Sequence, residues 1–185
     1  MRVLVACEFS GIMREAFAQR GHDTWSCDFL DTEIPGNHIK DDVLSHLNEK
    51  WDLMIAHPPC TYLAVSGARW FKYRQTEQEK ALTFIRILMD APIPRICIEN
   101  PISVISTRIR KPDQIIHPWM FGHGETKATC LWLKNLPKLA PTKIVEGRDG
   151  RVWKESPNQD RWKNRSRTFP GIAEAMAIQW GEVVQ

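Results

Sequence analysis

Short, almost wholly apolar runs separated by helical stretches constrain this chain more than any other feature. The runs are Val3-Leu4-Val5-Ala6, Leu53-Met54-Ile55-Ala56 and Ile96-Cys97-Ile98. A strand with one wet face alternates apolar and polar residues, whereas a run with no polar side is buried on both faces, as in parallel sheets covered by helices. The intervening chain supplies those helices. Residues 12–20 put Ile12, Ala16 and Phe17 on one helical face and close on Gly21. Residues 76–89 do the same with Ala81, Phe84, Ile85 and Leu88, with Thr76 as the expected N-cap. Residues 23–27 read as a second strand, 39–43 as a third, 44–50 as a short helix and 61–74 as a loop. Later strands are expected at 115–121 and 129–134, and a last amphipathic helix at 171–180. The pattern predicts a single α/β domain over residues 1–185, with a doubly wound, mostly parallel sheet.

A chain of 185 residues can bury one real core. Its net charge of +3 permits a nucleic-acid partner without demanding one. Basic character concentrates in 143–167, where eight Lys or Arg face four Asp or Glu, and this segment reads as a surface loop or flap. Trp153 and Trp162 within it could stack on a base. Five widely spaced cysteines with no CxxC pair argue for a reducing, cytoplasmic setting, and against a disulfide framework or a zinc ribbon. His117, His123 and Cys130 fit no common zinc spacing, so no metal is expected. The amino terminus enters a strand directly, and no apolar run approaches about 18 residues, so neither a signal peptide nor a membrane span is expected.

In a parallel sheet the strand ends lie along one edge, and here those ends carry the reactive groups. His57-Pro58-Pro59-Cys60-Thr61 follows the strand at 51–56, and two prolines must end it and turn the chain. A cysteine is thereby held where open α/β sheets put their ligand crevices. Glu99 ends the next strand. Phe9-Ser10-Gly11 turns the first strand into its helix, and Asp28 and Asp42 follow the second and third. A strand, a glycine turn and a helix followed by an acid suit a nucleoside, whose ribose hydroxyls a carboxylate can accept. A thiolate can add to an electron-poor ring while a carboxylic acid protonates the ring nitrogen that gains charge. Burial at the end of an apolar strand is expected to keep Glu99 protonated for that role. Plainer readings use the same residues: a buried structural Cys60, a Glu99 satisfied by backbone donors at a helix start, and Asp28 and Asp42 as solvated loop acids.

In these positions the chain resembles the cytosine C5 methyltransferases, in the order of that family's motifs. Cys7-Glu8-Phe9-Ser10-Gly11 resembles the first, S-adenosylmethionine-binding motif, and Asp41-Asp42-Val43 the Gly-Asp-Ile motif. Pro58-Pro59-Cys60 with Ser66-Gly67 resembles the nucleophile loop, and Ile98-Glu99-Asn100 the Glu-Asn-Val motif. Gln159-Asp160-Arg161-Trp162-Lys163 is similar to Gln-x-Arg-x-Arg, and Arg167 through Ala175 to the last motif. The resemblance implies a Rossmann-like methyltransferase fold. It implies S-adenosylmethionine held by Phe9, Ser10, Gly11, Asp28, Asp42, Val43 and Pro58. Cys60, Glu99, Arg161 and Arg165 would act on cytosine, with Arg69, Lys163 and Arg167 meeting its phosphate or base.

The chain departs from the family where Met13 and Arg14 replace glycines, His57 a glycine, Pro101 a valine and Lys163 an arginine. Lys163 and Arg167 are nearly adjacent, so no target-recognition region separates the last two motifs, as in compact phage-encoded relatives. The implied activity is methyl transfer to cytosine C5 in DNA with low sequence specificity. The alternatives are C5 modification of a free cytidine nucleotide, or non-catalytic binding of nucleotide or DNA.

Overall fold

The computed structural model describes residues 1–154, 156 and 158–182, with the backbone alone of Val152 and Trp153. Its strands are β1 (Arg2–Ala6), β2 (Asp23–Cys27), β3 (His38–Ile39), β4 (Leu53–Ala56), β5 (Arg95–Pro101), β6 (Gln114–Ile116) and β7 (Thr129–Lys134). The helices are α1 (Ile12–Ala18), α2 (Gln75–Asp90), α3 (Ile105–Arg108), α4 (Arg151–Lys154), α5 (Arg161–Ser166) and α6 (Pro170–Gly181). One seven-stranded sheet has the order β3-β2-β1-β4-β5-β7-β6. All pairs from β3 to β5 are parallel, and β7 alone runs against its neighbours β5 and β6. The chain leaves β1 outward to β2 and β3, then returns to the other side of β1 as β4. The strand order therefore reverses between β1 and β4, and a ligand crevice belongs at their carboxyl ends.

The apolar runs have the cause inferred for them. Leu4, Ala6, Met54, Ala56, Ile96 and Ile98 point to one face, against Leu82, Ile85 and Leu88 of α2. Their alternates Val3, Val5, Leu53, Ile55 and Cys97 point to the other, against Met13 and Phe17 of α1 and Ile172, Met176 and Trp180 of α6. With both faces covered, every second residue is as buried as its neighbour. Among the described residues no helix is long and apolar enough to cross a membrane.

Several boundaries differ from the sequence expectation, each for a local reason. The third strand is only His38–Ile39, because Asp42 caps a 3-10 turn by accepting from the Leu44 N–H at 3.0 Å, and that turn (Val43–His46) replaces the helix expected at 44–50. The loop expected at 61–74 contains a 3-10 stretch, Val65–Tyr73. Helix α2 begins at Gln75, before Thr76, with no side-chain cap, and buries Gln78, whose Nε2 donates to the Tyr62 carbonyl at 2.9 Å. The strand expected at 115–121 stops at Ile116, ahead of a short turn opened by Pro118. The basic 143–167 segment holds the short helices α4 and α5.

Helix α1 is shorter than 12–20 and buries Met13, Arg14 and Phe17 in place of the expected Ile12–Ala16–Phe17 face. Arg14 is 1% exposed, and its guanidinium donates to Ser26 Oγ, Thr32 Oγ1 and the carbonyls of Ile34 and Pro35. Gly11 and Gly36 make room for it: a Cβ at either would lie 2.9 or 2.8 Å from Arg14 Nη2. Met13 packs in the core. The two residues that break the glycine pattern are thus a core side chain and a pin for the 32–35 loop.

Candidate active site

Pro58 and Pro59 end β4, and the turn they open is held from two sides. Within the turn, the Cys60 carbonyl accepts from the N–H groups of Leu63 (3.0 Å) and Ala64 (2.9 Å). Across the sheet, buried Asn100 of β5 donates Nδ2 to the Pro58 carbonyl at 2.9 Å. Cys60 is thereby fixed relative to both β4 and β5. It lines a cavity of about 490 Å³ over the carboxyl ends of β1, β4 and β5, together with Glu99, His57, Asn100, Lys127 and Thr129.

The electrostatics correct one expectation. Burial does push the Glu99 carboxyl up, but the charge and contact of His57 outweigh it, with help from Lys127, and hold Glu99 below the usual carboxylate range. His57 mirrors this: burial pushes it down, yet Glu99 keeps it above the ordinary histidine value. Nδ1 of His57 lies 3.0 Å from Glu99 Oε2, with both side chains largely buried. The contact is an ion pair by distance without the alignment of a hydrogen bond, so Oε2 keeps acceptor capacity. Oε2 of Glu99, Oδ1 of Asn100 and Nε2 of His57 are all buried without an aligned partner. The pair therefore favours a carboxylate on Glu99 beside a charged His57, where a protonated acid was expected. Burial also raises the Cys60 thiol, against the pull of Lys127 and Arg165.

The other half of the cavity is lined by Cys7, Phe9, Asp28, Leu30 and Trp162. Cys7 adopts a left-handed conformation (φ 58°), strained for a non-glycine residue, that turns the chain sharply off β1. Phe9 and Trp162 face each other with ring centroids 5.9 Å apart. The start of α1 is occupied by the protein itself. The buried Glu8 carboxylate accepts from the N–H groups of Met13 (2.7 Å) and Arg14 (3.3 Å) and from the Ser10 hydroxyl (3.0 Å). A phosphate bound there would meet a carboxylate already in place of it. Aromatic walls and an acid after β2 suit a nucleoside, and the start of α1 is filled by Glu8.

The structure brings some of the sequence-selected residues together and separates others. Phe9, Asp28, Pro58, Cys60, Glu99 and Arg165 line the cavity. Ser10 serves the Glu8 turn, Gly11 supplies its left-handed residue (φ 76°), Val43 is core and Asp42 caps a turn. Arg161, Arg69, Lys163 and Arg167 do not line the cavity. Arg69 lies over Trp70, Lys163 over Trp162, and Arg167 pairs with Glu33 at 2.6 Å. His117 stacks on Trp119, and His123 accepts from the Gly171 N–H, so each histidine has a packing role. The side chain of Trp153 lies outside the described residues. Sequence reasoning missed Lys127 and Thr129, which enter the cavity ahead of and on β7. It read His57 only as a departure from a motif. A lysine two residues before a strand carries no local signal; its place follows from β7 pairing antiparallel with β5.

A seven-stranded sheet with one reversed strand, helices on both faces and a cavity at the β1–β4 reversal defines a Rossmann-like methyltransferase fold. Among solved structures, the chain is similar to an Escherichia coli prophage-encoded protein described as a candidate DNA modification methyltransferase. The match has a TM-score of 0.52 and 13% identity, and it covers 85% of this chain. This chain spans 56% of the length of that structure. No protein-family model matches the sequence, and no curated protein does either.

Proposed function

We propose that this chain transfers a methyl group from S-adenosylmethionine to C5 of cytosine in DNA, by way of a covalent adduct on Cys60. The observation that carries the reading is one cavity at the sheet's reversal point, holding a nucleophile beside buried acceptors that lack partners. Glu99 Oε2 and Asn100 Oδ1 are such acceptors, and cytosine presents an amino group and, once attacked, a ring N–H to match them. Bound at the Phe9–Trp162–Asp28 half of the cavity, S-adenosylmethionine would supply an electrophilic methyl group. Asp28 would accept from its ribose hydroxyls, and Phe9, Leu30 and Trp162 would cover its purine. Cys60 adds to C6, Glu99 meets the ring nitrogen, and the adduct's C5 becomes the carbon that takes the methyl group. Holding both ligands in one cavity is the larger part of the rate gain. Met13 and Arg14 have packing roles, so the altered turn supplies no argument for a non-catalytic reading.

A free cytidine nucleotide is the second reading, favoured by Lys127 and Arg165 at the cavity, where they could hold one phosphate. Incubation with methyl-labelled S-adenosylmethionine and, separately, duplex DNA, single-stranded DNA and cytidine nucleotides decides between them. Label at cytosine C5 of DNA is the expected product. Label confined to nucleotides would replace DNA as substrate, and no label would sink the enzyme reading. Cys60→Ser should fold and lose turnover by a factor of at least about 10³, since a hydroxyl is a far weaker nucleophile than a thiolate. Wild-type turnover in that variant would rule out the covalent route.

A further inference from the structure

His57 touches Glu99 from the cavity wall, and the reaction as written above gives it no part. A lone buried carboxyl is protonated and can donate directly. Glu99 is not alone: Nδ1 of His57 lies 3.0 Å from Oε2, close enough to hand over a proton when the imidazole carries one. We propose that His57 is a positioning residue that stores the reaction's proton, so that the His57–Glu99 pair, rather than Glu99 by itself, protonates the substrate ring.

This deepens the cytosine reading and rests on it. In the step, the Cys60 thiolate forms the S–C6 bond as the C5–C6 double bond opens. The displaced electron pair reaches the ring nitrogen, and the proton leaving His57 Nδ1 passes to Glu99 and from Glu99 to that nitrogen. The thiolate and imidazolium charges cancel, and Glu99 ends as it began, a carboxylate. Nε2 of His57 keeps its hydrogen, leaving a lone pair on Nδ1 to recover the proton when the adduct breaks down.

The charged and titratable groups facing the pair are few. His57 meets Glu99 from β5, Glu8 from the turn after β1, and Lys127 from the approach to β7. Glu99 meets His57 and Lys127, with the buried Cys97 thiol near it on its own strand. Glu99 and Glu8 favour the imidazolium; Lys127 opposes it. Cys60 faces Lys127 and Arg165, and burial holds it as a thiol at neutral pH. The competent form needs Cys60 without its proton and His57 with one, which reverses their resting order. The rate then rises with pH while His57 stays charged, and levels off at the pH where His57 loses its proton, below the ionisation of Cys60.

The test is the pH profile of methyl transfer in wild type and His57→Gln. Glutamine can contact Glu99 but does not titrate. The variant should be slower by on the order of 10²-fold at neutral pH, and its rate should keep rising through the wild-type plateau. The same plateau in both proteins would overturn the proposal. Independently of activity, ¹⁵N NMR of the wild-type imidazoles, with His57 assigned by loss of its signal in the variant, should show it titrating above the ordinary histidine value. In Glu99→Gln it should titrate below that value, because burial and Lys127 then dominate. A wild-type His57 that is neutral at pH 6 overturns the stored proton even if neither variant folds. Absence of methyl transfer from the wild type to every cytosine substrate would overturn the cytosine reading and the relay with it, whereas a low titration alone would remove only the relay.

Discussion

At the scale of single residues, the buried polar groups decide what this molecule is built to hold. Arg14 illustrates the structural kind. Its guanidinium is nearly without exposure and spends donors on Ser26 of β2, on Glu15 beside it, and on the 32–35 loop. Replacing it by Met, close in volume, takes the guanidinium donor from the Pro35 carbonyl and from the Ser26 and Thr32 hydroxyls, and leaves the Ile34 carbonyl only the Thr32 hydroxyl. Arg14→Met should cost on the order of 3 kcal/mol, read as a lower urea midpoint with an unchanged slope. A loss under about 0.5 kcal/mol would mean that the loop is held by something else. Nothing in the sequence marks Arg14 as buried, because a cation on an α1 face reads as solvent-exposed until Gly11 and Gly36 are seen to clear space for it. Cys60 and Glu99 were legible from their place at strand ends. Their charge states were not, because His57 reaches Glu99 through a contact between strands, and local burial alone predicts the opposite protonation.

At the scale of elements, the link between β4 and β5 governs the nucleophile. The β-periodic apolar runs made these strands readable in the sequence, since a two-face burial pattern is local. The shortness of β3 and the reversed direction of β7 were not readable: one depends on a side-chain cap from Asp42, the other on which neighbour the strand finds. The Asn100 side chain ties the Pro58-Pro59-Cys60 turn to β5. Asn100→Asp keeps the shape but replaces the donor with an acceptor, so the Pro58 carbonyl loses its bond and meets a negative charge. The turn should loosen. Amide hydrogens of Leu63 and Ala64, which bond the Cys60 carbonyl, should exchange faster by about tenfold or more, while those of β1 keep their protection. Unchanged exchange at those two amides would show that the turn holds itself, and that Asn100 acts only as an acceptor toward the cavity.

At the scale of the whole molecule, the question is which surface could grip a polynucleotide. The basic 143–167 segment was the sequence's candidate, but much of its charge is engaged internally. Arg151 pairs with the carboxylate of Glu125, Lys154 with that of Asp149 and Arg167 with that of Glu33. The stretch Val65–Tyr73, with Arg74 following it, is different. It carries Arg69, Lys72 and Arg74 with no acidic residue, exposes Trp70 and Tyr73, and starts at Ser66 and Gly67 on the cavity rim. If phosphates of the substrate strand lie along this stretch, DNA affinity should fall with salt at a slope of about −0.9 per neutralised phosphate on duplex and about −0.7 on single strands. Replacing Arg69, Lys72 and Arg74 together by Ala should then flatten the slope by roughly 2 to 3 units and weaken binding across all sequences. A free nucleotide offers one phosphate, so its binding would vary little with salt and be indifferent to these three cations. Affinity for DNA that is flat between low and physiological salt, beside saturable binding of a cytidine nucleotide, would make the nucleotide the substrate.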